Sequence, residues 1–358
     1  MSTKKTISIQ QARKLVLLSQ NLPSIKTTGR AEDRTLKAVE QLGYVQIDTI
    51  SVIERAHHHT LWNRNPQYTP DHLNQLIADK KVFEYWSHAA AYLPMRDYRF
   101  SLIRKSAFKN NELKHWYNPD SKLKNFVLKR IADEGPLMAK DFEHNGKKIK
   151  DWGSKPAKQA LEHLFMQGDL MISKRVNFHK VYDITHRVLP DNLNTTIPTK
   201  QEYYRFLILQ FLSANGLGLP SEIGYLLKNT KTHISNTIEE MCTNNELIKL
   251  AVGSQTYFAL PDSLNLLSKS LAKSRLKILS PFDNLLIQRK RMQNIFDFNY
   301  QIECYTTAAK RKYGYFSLPI LWDGQLVARM DCKAERSIAK LHITKTERLI
   351  KSVGNLIA

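Results

Sequence analysis

The sequence predicts a mainly α protein with added β structure (α+β): tandem winged helix-turn-helix domains followed by a β-rich C-terminal domain. Three observations point there. An order of helix, short helix, longer helix and strands occurs twice, in residues 123–182 and 203–257, and each copy runs on to Leu-Pro-Asp, at Leu189-Pro190-Asp191 and Leu260-Pro261-Asp262. The last hundred residues change texture, with two strand-like runs flanking Asp323-Gly324. Lys and Arg number 54 against 33 Asp and Glu, a formal charge of +21 that draws polyanions.

At 358 residues the chain is too long for one ordinary domain. The patterns divide it into 1–118, 119–198, 199–262 and 263–358. In the first segment, Ile9, Ala12, Leu15 and Val16 have helical spacing, with Ser8 as N-cap. A second helix is expected from Ala31 to Leu42, stopping at Gly43. Tyr44-Val45-Gln46-Ile47-Asp48 alternates as a short strand, and Ser51 to Glu54 has the spacing of a capping box, so a helix is expected from Ser51 to Trp62. Residues 63–118 show no clean period.

In the first repeat, helices are expected over Leu123–Glu134 and Pro156–Gln167, broken at Gly135-Pro136, before a hairpin ending at Tyr182. In the second, helices over Tyr203–Ser213 and Ile234–Asn244 flank a short one near Ser221 and precede a strand around Tyr257. Three helices and a hairpin make a winged helix, whose third helix enters the major groove or follows the backbone. Modules used only for packing would show the same order; the net charge favours double-stranded DNA. Residues 261–358 carry 17 Lys and Arg against 8 Asp and Glu, including Arg289-Lys290-Arg291 and Lys310-Arg311-Lys312, which suits a domain that grips phosphates.

Other classes fare worse. No run approaches the roughly 18 to 20 apolar residues of a membrane span. The N-terminal Met1-Ser2-Thr3-Lys4-Lys5 leads into a polar segment without a signal-peptide core. Cys242, Cys304 and Cys332 are odd in number and far apart, which fits reduced thiols and argues against structural zinc or an iron–sulfur cluster. A cytoplasmic, nucleoid-associated monomer is expected.

Gln46 and Asp48, two apart on a strand, leave the same face about 7 Å apart at the backbone. An amide and a carboxylate together suit cleavage of an N-glycosidic bond, which passes through a cationic sugar. The carboxylate can stabilise that charge and accept a proton from water, while the amide orients the water. The alternative is that Asp48 caps the following helix, although Ser51 and Glu54 offer a better cap. His57, His58 and His59 diverge by about 100° each on a helix and cannot converge on one metal; contact with phosphate or the excised base is the expectation. No metal and no cofactor are expected. A nuclease would need clustered carboxylates, which are not visible. A non-catalytic winged-helix regulator would use the same basic surface, with Asp48 structural.

Leu42-Gly43-Tyr44-Val45-Gln46-Ile47-Asp48-Thr49-Ile50, Arg55-Ala56-His57-His58-His59 and Leu61-Trp62-Asn63-Arg64 together resemble the AlkZ/YcaQ family of bacterial winged-helix DNA glycosylases. Leu279-Ser280-Pro281-Phe282-Asp283-Asn284, Glu303-Cys304-Tyr305 and Lys310-Arg311-Lys312-Tyr313-Gly314-Tyr315 agree. The resemblance covers most of the chain. It implies three winged-helix domains around a concave DNA surface, with excision of alkylated purines and unhooking of interstrand crosslinks. Gln46-Ile47-Asp48 departs from the Gln-x-Gln of the AlkZ branch and resembles the YcaQ (AlkX) branch. Carried over by position, Asp48 is the catalytic carboxylate and Gln46 its partner.

Overall fold

The computed structural model describes residues 5–22, 28–142, 156–271 and 275–349, so residues 1–4 of the N-terminal run lie outside them. Two compact units result. One comprises Met1–Pro70, Ser87–Ala91 and Gln201–Ala358; the other comprises Asp71–Trp86 and Tyr92–Lys200.

The smaller unit contains the first repeat in the expected order. Asp120 caps the helix Ser121–Glu134 by accepting from Lys122 N at 3.0 Å, and the helix ends at Gly135. After the short strand Leu137–Met138, the helix Pro156–Gln167 leads into a hairpin of Leu170–Val176 and His179–Ile184. Leu137–Met138 pairs with the second hairpin strand, completing the three-stranded wing. Val127, Ile131, Leu161, Leu164 and Leu170 form its core, with Phe83 and Tyr85 packed against them. Arg175 ties the wing down by a two-pronged contact with buried Glu84, at 2.7 and 2.8 Å.

The larger unit contains the second repeat and the C-terminal sheet. Helices Lys200–Asn215, Pro220–Ile223 and Lys231–Thr243 precede the hairpin Ile248–Val252 and Gln255–Ala259. The N-terminal strand Lys5–Thr6 adds to it in parallel. The helix Ile9–Ser19 then starts with a full capping box between Ser8 and Gln11. Its inner face joins Leu250, Tyr257, Leu285, Met292, Ile295 and Phe298 in one core, so the two ends of the chain share a hydrophobic centre.

The C-terminal sheet is antiparallel, in the order Lys277–Ile278, Ser317–Trp322, Gln325–Glu335 and Lys340–Arg348. Asp323 and Gly324 both have positive φ, 45° and 78°, as a two-residue hairpin turn of the I′ kind requires. The fourth strand, which no sequence signal marked, is mostly exposed; it pairs along Ala328 to Glu335.

One expectation is overturned. No helix begins at Ser51: residues 47–55 are irregular, and the helix starts at Ala56 and runs to Arg64. Glu54 accepts from the adjacent Arg55 N rather than reaching back to Ser51. Val52 O instead accepts from Ala334 N at 3.1 Å, and Ser51 Oγ from Arg336 at 3.1 Å. Ile50, Val52 and Ile53 pack on Phe316, Leu318 and Val327 of the sheet. Burying three β-branched side chains there outweighs one turn of helix for residues with modest helix propensity.

An ion pair without solvent exposure ties together elements of the larger unit. Arg64 donates to both oxygens of Asp283, at 2.7 and 2.9 Å. Its remaining N–H groups bond Thr60 O, Gln20 O and Gln20 Oε1. The Ala56–Arg64 helix is thereby joined to the end of the first helix and to the segment preceding the Arg289–Phe296 helix. Removing one partner strands a buried charge, for a loss of about 3–5 kcal/mol. Arg64→Met and Asp283→Leu should each lower the denaturant midpoint steeply, with the double variant less damaging than the two losses added. Additive losses in urea melts would show that the two groups do not act as a pair.

Candidate active site

The Ala31–Leu42 helix ends at Gly43, whose φ of 76° is left-handed; a Cβ there would meet the Gln210 side chain. The chain turns and enters the two-residue strand Val45–Gln46. This strand is shorter than expected, but its alternation persists. Val45 and Ile47 are buried, while Gln46 and Asp48 are half-buried. Asn284 donates to Tyr44 O at 2.9 Å, and Ile47 N donates to Ala90 O at 2.8 Å, so the segment is pinned at both ends.

Asp48 Oδ1 accepts from Ile50 N at 2.7 Å, which closes a turn within the loop rather than capping a helix. Among the described residues, no Lys, Arg or His forms an ion pair with Asp48, although the chain carries +21. Burial raises its pKa above the ordinary carboxylate value, and the Ile50 N–H opposes that shift without cancelling it. Cys304 and the very exposed Tyr305 lie close enough for the Asp48 charge to raise both of their pKa values, after burial as the leading cause.

Gln46 Oε1 lies 2.9 Å from His88 Nε2. The imidazole stands edge-on to the Tyr44 ring at 5.2 Å, and burial pushes its pKa down to about 4, so it is neutral at pH 7. Sequence reasoning missed His88 because it lies in the stretch without a period; only the pairing of Ile47 with Ala90 brings it beside Gln46.

Two of the three consecutive histidines turn inward. His57 and His59 are buried, so neither is placed to contact a phosphate. His59 Nε2 lies 2.9 Å from Ile278 O, and Asn63 donates to the same carbonyl at 2.8 Å, which docks the helix on the C-terminal sheet. His58 is half-buried, 2.7 Å from Tyr68 OH, and lines an apolar cavity of about 340 Å³ with Trp62, Leu318 and Met330. The helical repeat sets His57 and His59 about 200° apart, so both are buried but on different sides of the helix, and only His59 reaches the sheet.

The basic runs divide similarly. Arg289 and Lys290 are exposed, but Arg291 is buried, paired with Glu222 and donating to Leu217 O at 2.9 Å. It is a core residue and not a phosphate contact. Lys310 and Lys312 are exposed. Arg311 is half-buried, donates to Thr306 O at 2.8 Å and covers the Tyr315 ring at 4.8 Å. Buried Glu303 shapes this loop by accepting from Lys312 N, Tyr313 N and Gly314 N at 2.9, 2.6 and 3.2 Å. Among the described residues no three His, Cys, Asp or Glu side chains group as metal ligands, and no helix is long and apolar enough to cross a membrane.

A family model described as DNA glycosylase AlkZ-like matches residues 39–355. Among solved structures, the Streptomyces sahachiroi DNA glycosylase AlkZ aligns with a TM-score of 0.64 over 96% of this chain and 93% of that one, at 15% identity. At that identity the likeness is one of fold.

Because folding raises the Asp48 pKa, the folded state favours the protonated acid. Ionisation therefore removes stability as pH rises through the raised value, and the deficit persists at neutral pH. Asp48→Asn, which keeps an acceptor for Ile50 N, should raise the Tm at pH 7. That advantage should vanish below the ordinary value of 3.8. A lower Tm at pH 7 would show that the ionised carboxylate is held by partners that stabilise it.

Proposed function

The chain belongs to the AlkZ-like family of DNA glycosylases, and from that premise we propose that it releases N7-alkylated purines, including bulky adducts and interstrand crosslinks, as a monofunctional, monomeric enzyme on double-stranded DNA. The observation that carries the proposal is Asp48: a half-buried carboxylate with no counterion beside it among the described residues of a strongly basic chain. Its one hydrogen bond, from Ile50 N, does not offset the cost of burying the charge.

The chemistry follows from the leaving group. An N7-alkylated guanine already carries positive charge and departs without a strong general acid. What remains is to stabilise the cationic sugar and direct a water at it. Asp48 supplies negative charge and accepts a proton from that water, while Gln46 orients it. Selection then rests on the weakness of the bond rather than on a closed base pocket. A guanine tethered to the other strand could therefore be released without being flipped into one. The exposed Arg289, Lys290, Lys310 and Lys312 are free to contact phosphates.

With duplex in place, Asp48→Asn should lose about a hundredfold or more in single-turnover base release while binding DNA at least as tightly. Gln46→Ala should lose about tenfold. The wild type should release N7-methylguanine and unhook a nitrogen-mustard crosslink, leave uracil in place, and work in the presence of chelator. Uracil excision with an intact crosslink would refute the substrate reading, and normal excision by Asp48→Asn would refute the catalytic one.

Lys310→Glu with Lys312→Glu should weaken binding to damaged and undamaged duplex equally. It should reduce the slope of log affinity against log salt by about 2. An unchanged slope would place the DNA on another face.

A further inference from the structure

We infer that His88 is a positioning residue for Gln46: by donating from Nε2 to the amide oxygen, it turns the Gln46 amino group toward the substrate. The inference rests on the proposed role of Gln46 in orienting water.

The geometry is local and fixed on several sides. His88 occupies a turn in which Ser87 N donates to Ala89 O at 2.9 Å, directly before the Ile47 N to Ala90 O bond at 2.8 Å. The turn therefore cannot slide relative to residue 46. The ring lies between Tyr44, edge-on at 5.2 Å, and Tyr225, tilted at 6.4 Å, and its Nε2 points at Gln46 Oε1 from 2.9 Å.

An amide oxygen only accepts, so the imidazole nitrogen facing it carries the proton. Burial keeps the ring neutral, with that single N–H committed to Gln46. If the Gln46 amide flipped, two donors would oppose each other in a half-buried site, which is unfavourable. Gln46 thus presents –NH2 and not C=O to the reaction. Beside it Asp48, when ionised, is purely an acceptor. A water between them accepts from Gln46 and donates to Asp48, leaving one lone pair free for the sugar. A glutamine free to flip would also present its oxygen, and a water facing two acceptors would lose the donor that holds it in one orientation.

The test compares His88→Ala, His88→Gln and Gln46→Ala, and combines His88→Ala with Gln46→Ala, in single-turnover release of N7-methylguanine alongside duplex affinity. His88→Ala should slow release about tenfold with affinity unchanged. His88→Gln, which keeps a donor, should recover most of the rate. In the Gln46→Ala background, His88→Ala should slow release by less than about twofold, because its effect passes through the missing amide. An equal loss in both backgrounds, or no loss at all, overturns the inference. A second measurement does not depend on activity. In protein labelled with ¹⁵N-histidine, His88 should show the Nε2–H tautomer at pH 7, and Gln46→Ala should shift that resonance. An Nδ1–H tautomer overturns the inference. A wild-type protein that leaves N7-methylguanine in place would instead defeat the substrate reading, with the tautomer still deciding the role of His88.

Discussion

The Arg64–Asp283 ion pair is the constraint on which the larger unit depends. Both side chains are shut off from solvent, and the guanidinium satisfies its remaining donors on Gln20 and Thr60. A buried pair of this kind adds little net stability, because desolvation offsets attraction. Its value is specificity: any other arrangement of these elements leaves a charge unpaired. The first helix, the Ala56–Arg64 helix and the segment around residue 283 are locked into one register. Asn284, the next residue, donates to Tyr44 O at 2.9 Å, so the strand with Gln46 and Asp48 is set by the same segment.

Several other buried charges are compensated. Arg291 meets Glu222, Glu303 meets three backbone N–H groups, and Arg175 meets Glu84. Asp48 is treated differently, with one backbone N–H and, among the described residues, no paired cation. The contrast separates groups that hold the fold from a group the fold holds ready. Stability withheld at Asp48 is what the proposed catalytic role would require.

The supporting loop shows how a local signal can lose. Ser51 and Glu54 have capping-box spacing, and on an isolated peptide they would favour a helix. In the protein, Ile50, Val52 and Ile53 bury themselves on the C-terminal sheet and Val52 O joins its strand. A sheet more than two hundred residues downstream in sequence is outside the reach of any short window. Displacing the helix start to Ala56 leaves the segment after Asp48 irregular, which keeps the carboxylate off a helix N-terminus.

By itself the sequence determined the elements whose information is local. The helices at Ile9–Ser19, Ala31–Leu42 and Pro156–Gln167, the two repeats and the Asp323-Gly324 hairpin follow from apolar period, caps and turn residues. The half-buried setting shared by Gln46 and Asp48 follows from alternation along four residues. Only the tertiary structure decided which members of a uniform run face inward. His57 and His59 are buried beside half-buried His58, and Arg291 is buried beside exposed Arg289 and Lys290. The tertiary structure also brought His88 to Gln46, across 42 positions of sequence. The physical reason is common to these cases: burial and pairing are set by what packs opposite, and the opposing surfaces come from distant parts of the chain.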